Sequence, residues 1–120
     1  MVCIYNNIYY NRSQIYINLG QYDKAQLDIE KYLSLNPNNA DMWANLGESS
    51  RLNKQYNKAL NASNEAIRLN PNKLGYYNNR LIIYYEMGDI ERARNDLNFL
   101  KSKGFKGINP DYERLLNLEK

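Results

Sequence analysis

Apolar side chains in this chain recur three or four residues apart, in stripes short enough to mark a series of brief helices. Tyr77, Leu81 and Tyr84 form one stripe, and Ala93, Leu97 and Leu100 form the next. That spacing returns to the same side of an α-helix at every turn, so each stripe predicts one amphipathic helix. Gly20 and Gly88 fall where a first helix must stop and reverse, in the left-handed backbone position that glycine takes without steric cost. Lys54 stands in the matching place of the middle segment and lacks that freedom, so its turn is expected to be strained or differently built. Asn36-Pro37 and Asn70-Pro71 end second helices, because the residue before proline is pushed out of the helical region. Gly104 and Gly107 then break the pattern and Asn109-Pro110-Asp111 opens one more helix, with a capping side chain, a proline suited to the first turn and an acid at the positive end of the dipole. Tyr112, Leu115 and Leu116 give that helix a stripe able to cover the apolar face left by the last pair.

These segments repeat. Leu35-Asn36-Pro37-Asn38 returns as Leu69-Asn70-Pro71-Asn72, which sets a period of 34 residues. Ala25, Ala59 and Ala93 keep the same step, as do Tyr22, Tyr56 and Ile90, then Lys24, Lys58 and Arg92, and the aromatics Tyr9, Trp43 and Tyr77. Small residues at Gly47, Ala59 and Ala66, with Ala25 and Ala93 in register, mark places where helix backbones come close. A period of this length with this punctuation resembles the tetratricopeptide-repeat (TPR) family and its W-x2-L-G-x2-Y…A-x3-F…P pattern. The middle copy carries Trp43, Leu46, Gly47, Tyr56, Ala59, Ala66 and Pro71 at the family's places, with Ser50 and Ser63 where aromatics are commoner. The first copy has Tyr9, Tyr16, Gly20, Tyr22, Ala25 and Pro37 but Arg12-Ser13 in the Leu-Gly slot. The third has Tyr77, Tyr84, Gly88 and Ala93, with Arg80-Leu81 in that slot and Phe105 where proline would fall.

The resemblance implies an all-α fold, a right-handed superhelical array of antiparallel helix hairpins with about seven helices. It divides residues 1–120, taken as one domain, into repeats at about 6–39, 40–73 and 74–107 and a capping helix at about 109–119. Stacked repeats need such a cap. The amino end shows no matching device, since Ile4, Tyr5, Ile8 and Tyr9 begin without a clear cap. The expectation is that the natural protein extends before this edge, or that the edge packs on something else, including another copy of the chain.

Composition narrows the function classes. With 43% hydrophobic and 24% charged residues the chain has the balance of a folded domain. Its longest apolar run, Leu81 to Tyr85, is far below the roughly 18 to 20 residues that cross a bilayer, so no membrane span is expected. The net charge of +3 is small and the basic residues are mixed with acids, unlike the dense one-sided clusters that a phosphate backbone requires, so nucleic acid is not an expected partner. The first five residues show no secretory leader. A single cysteine, Cys3, cannot form an internal disulfide, which fits a reducing compartment, and the cytoplasm is the expected one.

Little in the chain can do covalent chemistry. Histidine is absent, which removes the commonest general base and metal ligand, and one cysteine excludes a thiolate cluster. Asp23, Asp28 and Glu30 on the second helix of the first copy, and Asp89, Glu91 and Asp96 on that of the third, alternate with Lys24, Arg92 and Arg94. They are expected to lie on solvated helix faces. Lys103-Gly104-Phe105-Lys106-Gly107 has too few glycines and no preceding strand for a phosphate loop and is expected to be a turn. The chain is therefore expected not to be an enzyme and to carry no cofactor and no metal.

In a TPR array the first helices line a concave groove, and the register puts Asn11, Asn45 and Asn79 at one place in all three. A primary amide presents a donor beside an acceptor, so it can grip a peptide bond without reading the side chain. The resemblance implies an asparagine ladder of the kind found in peptide-binding TPR proteins, although asparagine is common at that place in the family and throughout this chain. Tyr10, Gln14, Asp41, Glu48 and Arg51 are expected to face the same groove, as are Asn7, Asn78 and Glu86. The carboxylate clamp of chaperone-binding members is not kept: its positions correspond to Tyr10, Gln14, Asn45, Gly75 and Asn79, and without cations a terminal carboxylate would be poorly held. A protein or peptide partner is expected in the groove. A self-assembling module, or a regulatory appendage of a larger enzyme, stands as the alternative.

Overall fold

The computed structural model describes residues 2–118, with side chains for residues 7–117; the side chains of Cys3, Ile4 and Tyr5 lie outside the described residues. Seven helices follow one another: α1 (Val2–Asn18), α2 (Tyr22–Leu35), α3 (Ala40–Leu52), α4 (Tyr56–Leu69), α5 (Leu74–Met87), α6 (Ile90–Ser102) and α7 (Pro110–Leu118). Among the described residues there is no strand. α1 packs on α2, α3 on α4 and α5 on α6, and the hairpins stack in chain order through α2 on α3 and α4 on α5. The stack is elongated, 51 × 27 × 21 Å, as expected when each unit touches only its neighbours.

The reversal inside each hairpin, and the turn that ends α6, are of one kind. Gly20, Gly88 and Gly104 have φ of 75°, 85° and 72°, and Lys54 has φ of 60°. In each case the next residue donates its N–H to a carbonyl five positions back: Gln21 to Tyr16 (2.8 Å), Gln55 to Ser50 (2.8 Å), Asp89 to Tyr84 (2.9 Å) and Phe105 to Leu100 (3.0 Å). The middle turn is thus built like the others, with a lysine holding the left-handed conformation. A non-glycine residue loses roughly 1–2 kcal/mol there, part of which glycine would return through its greater freedom in the unfolded chain. Lys54→Gly is therefore expected to raise stability by about 0.5–1 kcal/mol, read as a higher urea midpoint at unchanged slope. An unmoved midpoint would show that this turn stores no strain.

Two apolar clusters hold the stack. Ile29, Leu33, Met42, Leu46 and Ala62 join the first two hairpins, with Trp43 packed against them. Leu81, Tyr84, Ala93, Leu97, Leu100 and Leu116 join the third hairpin to α7. Within the middle hairpin α3 and α4 approach so closely that a Cβ on Gly47 would lie 3.3 Å from the Ala59 carbonyl oxygen, and Ala25, Ala59, Ala66 and Ala93 are all fully buried. α7 begins as expected, with the Asn109 side chain accepting from the Asp111 N–H at 2.9 Å. Leu116 is then buried, and Tyr112 meets Tyr85 edge-on at 5.2 Å between ring centroids.

One expectation is corrected. Asp28 and Asp96 do not lie on solvated faces: each keeps only 4% of its surface exposed. Asp28 accepts from Arg12 at 2.8 and 2.7 Å, and Asp96 from Arg80 at 2.9 and 2.7 Å. The partners are 16 residues apart on opposite helices of one hairpin. Each guanidinium also lies over aromatic rings, Arg12 at 6.0 Å from Tyr9 and from Tyr16, Arg80 at 5.4 Å from Tyr77 and 5.6 Å from Tyr84. A bidentate pair satisfies the buried carboxylate in a way that the helix's own lysines and arginines cannot reach.

Candidate functional site

The first helix of each hairpin, α1, α3 and α5, contributes one wall of a common groove, and α3 touches α5 directly. The groove has a volume of about 500 Å³, and Tyr10, Gln14, Asp41, Asn45, Tyr76 and Asn79 line it. Gly75 leaves part of the wall open, since nothing lies within 4 Å of where its Cβ would be. Asn79 also borders a smaller recess of about 130 Å³, where Glu48 and Arg51 stand with Ala44, Gly47 and Ile82. Of the residues picked out in the sequence, Tyr10, Gln14, Asp41, Asn45, Asn78 and Asn79 share the groove, and Glu48 and Arg51 stand beside it in the recess. Asn11 is exposed and lines neither, although it occupies the same register as Asn45 and Asn79.

The amides differ in how free they are. Asn45 is half-buried, and its Nδ2 reaches the Met42 sulfur at 3.6 Å, a weak acceptor that a peptide carbonyl would replace readily. Asn79 is half-buried at the border between groove and recess. Arg51 is engaged across the stack by Glu86 at 3.1 Å, which ties α3 to α5 at the recess.

Lys73 and Tyr76 are among the groove residues that the sequence did not point to. Lys73, the last residue before α5, donates to Asp41 at 2.7 Å and lies 5.3 Å from the centroid of the Tyr76 ring. The Tyr76 hydroxyl donates to the same Asp41 carboxylate. Hydrogen bonds from Lys73 first and Tyr76 second hold the Asp41 carboxyl below the usual aspartate range. Burial, reinforced by Asp41, pushes the Tyr76 phenol well above its usual value. Lys73 and Asp41 thus form an exposed pair, with 50% and 63% of their side chains accessible. The signal was faint, because Lys73 and Asp41 are 32 residues apart and belong to different hairpins.

Among the described residues no group of three or more His, Cys, Asp or Glu side chains is placed to hold a metal ion, and no helix is long and apolar enough to cross a membrane. Two family models, each described as tetratricopeptide repeat, match the sequence, one over residues 7–39 and the other over residues 29–61. No curated protein matches it in sequence. Solved structures share the fold. The Arabidopsis OM64 TPR domain superposes with a TM-score of 0.90 at 14% identity, covering 100% of both chains. The second TPR domain of human RPAP3, solved in complex with an HSP70 peptide, does so with 0.86 at 15% identity, covering 98% of each. MamA from Desulfovibrio magneticus RS-1 gives 0.75 at 19% identity over 78% of this chain and 53% of that one, so the chain spans about half of MamA. Identities this low show a common fold.

Proposed function

Because this chain belongs to the tetratricopeptide-repeat family, we propose that it is a protein-interaction module that holds an extended segment of a partner in the groove between α1, α3 and α5. The observation that carries this reading is the pairing of Asn45 and Asn79 along one polar groove with Tyr10, Gln14 and Tyr76. Two amides on successive hairpins can each accept a peptide N–H and donate to a peptide C=O, so the segment is gripped by its backbone. RPAP3 and Spaghetti domains of this fold were solved with HSP70 and HSP90 peptides, which supports a peptide as the kind of ligand. The grip on this chain is of another sort, since Tyr10, Gln14, Asn45, Gly75 and Asn79 carry no cation, and the cation that lines the groove among the described residues, Lys73, stands beside the Asp41 carboxylate, which repels a second one. An internal stretch of polypeptide suits it better than a terminal carboxylate.

Removing both amides costs the complex two pairs of hydrogen bonds, on the order of 2–3 kcal/mol, or roughly 30- to 150-fold in affinity. Capture of partners by wild type beside Asn45→Ala/Asn79→Ala is expected to show their loss from the variant. The same partners at the same yield on a folded double variant would dismiss the groove.

A second reading rests on α1. Ile8 and Ile15 are 49% and 56% exposed, yet they occupy the register of Met42 and Ile83, which α2 and α4 help to bury at 0% and 1%. Leu19, 63% exposed, continues the stripe. Arg12 is the one charge on α1, and Asp28 already neutralises it. Two α1 helices from two copies could therefore pack face to face without like-charge repulsion. The mass in solution is expected to rise with concentration for wild type and not for Ile8→Glu/Ile15→Glu. A constant monomer mass for wild type would dismiss the pairing.

A further inference from the structure

The groove is not the largest opening. On the side built by the second helices, α2 and α4 bound a cleft of about 760 Å³ whose floor is Leu33, Leu46 and Ala62, with Trp43 in one wall and Glu30 and Glu65 at the rim. The register of the repeat shows what this space holds elsewhere in the same molecule. Thirty-four residues on, Leu46 becomes Arg80, Ala62 becomes Asp96, Trp43 becomes Tyr77, Glu30 becomes Asn64 and Glu65 becomes Phe99. There the Arg80 guanidinium fills the opening, over the Tyr77 ring at 5.4 Å, bound to Asp96 and to the Asn64 side chain at 3.1 Å. Phe99 packs against Tyr77 with ring centroids 4.7 Å apart and planes tilted by 44°. The first hairpin uses the same device with Arg12 and Asp28. The frame is conserved between hairpins down to one bond: the Trp43 indole donates to the Pro37 carbonyl at 2.8 Å, as the Tyr77 hydroxyl donates to Pro71 at 3.0 Å.

The middle hairpin alone lacks its own arginine while keeping the aromatic wall. Its cleft adds two carboxylates, Glu30 of α2 where Arg80's outer acceptor stands and Glu65 of α4 in place of the Phe99 ring. We propose that this cleft receives an arginine-bearing segment of a partner protein. The aliphatic stem of the arginine lies on Leu33, Leu46 and Ala62, its guanidinium rests on the Trp43 face, and Glu30 and Glu65 accept from it. Both acids already have surface partners, Lys58 and Arg68. Exposed pairs of that kind are worth little and exchange readily for a bidentate guanidinium.

Trp43 is the single tryptophan of the chain, so its fluorescence reports on this cleft. Acetyl-Leu-Arg-Leu-amide, titrated into the millimolar range, is expected to give a saturating change. The same peptide with citrulline in place of arginine should bind about ten-fold or more weakly. Leu46→Arg/Ala62→Asp transplants the pair found in the other two hairpins and fills the cleft from within, so it should abolish the response while the far-ultraviolet circular dichroism stays unchanged. Glu30→Gln/Glu65→Gln, which alters no buried residue, should weaken the arginine peptide to the level of the citrulline peptide. Asn45→Ala/Asn79→Ala should leave the response intact, which separates this cleft from the groove. No response, equal response to arginine and citrulline, an undiminished response from Leu46→Arg/Ala62→Asp, or unchanged affinity in the Glu30→Gln/Glu65→Gln variant would each overturn the proposal.

Discussion

Asp96→Ala is expected to destabilise the protein by about 3 kcal/mol, with a fall in Tm of roughly 10 °C. Asp96 is 4% exposed and takes two hydrogen bonds from Arg80, whose side chain keeps 22% of its surface. Alanine leaves the guanidinium between α5 and α6 with Asn64 as its remaining side-chain acceptor among the described residues. Stranding one member of a buried pair costs about 3–5 kcal/mol, and the partial access of Arg80 to water places this case at the lower end. The informative comparison is Arg80→Leu/Asp96→Ala, which installs the residues that Leu46 and Ala62 supply in the middle hairpin. Replacing both charges with a packed apolar pair is often neutral or better, so the double variant should return to within about 1 kcal/mol of wild type. Denaturant melts of the four proteins in this cycle decide it. An Asp96→Ala midpoint equal to wild type, or a double variant no better than the single, would mean that the pair is not what closes the third hairpin. At Asp28 the same substitution should cost less, because Arg12 keeps 51% of its side chain exposed.

Leu81→Ala should cost about as much, on the order of 3 kcal/mol, for a different reason. Leu81 is completely buried among Tyr84, Ala93, Leu97, Leu100 and Leu116, and truncating such a leucine loses both its transfer free energy and the contacts around the void it leaves, typically 2–5 kcal/mol. The repeat makes this position instructive, since Ser13 and Gly47 occupy it in the other hairpins. In the middle hairpin Gly47 faces Ala59 and Ser63 and lets the backbones nearly touch. In the third, Leu81 faces Leu97 where the middle has Ser63, so the helices are held apart by side chains and cannot collapse to fill the gap. Urea unfolding should show a lower midpoint with an unchanged slope, and hydrogen exchange should quicken in α5, α6 and α7 before α1 and α2. A loss below about 1 kcal/mol would show that the third hairpin closes up as the middle one does.

Much of this architecture is legible in the residues. The period of 34, the turn glycines, the Asn-Pro stops and the Asn109 cap are local devices. Each fixes backbone geometry within a few residues of itself, so seven helices and their order could be read before any packing was known. Lys54, expected to make its turn strained or differently built, takes the left-handed conformation at φ 60°, and its turn carries the same hydrogen bonds as the glycine turns.

The buried acids leave no such local mark. Asp28 and Asp96 sit among lysines and arginines on their own helices, and spacing along one helix suggested solvated pairs. Their partners are on the facing helix, and the trace they leave is a paired exchange in register, Arg with Asp at 12/28 and 80/96 against Leu with Ala at 46/62. In the groove, Tyr10, Gln14, Asp41, Asn45 and Asn79 followed from the same register. Which of them are already spoken for did not, because Lys73, Tyr76 and Asp41 meet across a hairpin boundary.

The residues alone determined the repeat, the helices and the places where backbones approach, since those depend on local conformational preference and on which side of each helix is apolar. The packing of helices within and between hairpins decided which charges are buried, which cation is paired in the groove, and that the middle hairpin leaves open a cleft its neighbours fill. Burial and ion pairing depend on side chains from elements distant in sequence, and their energies take effect only after those elements have come together.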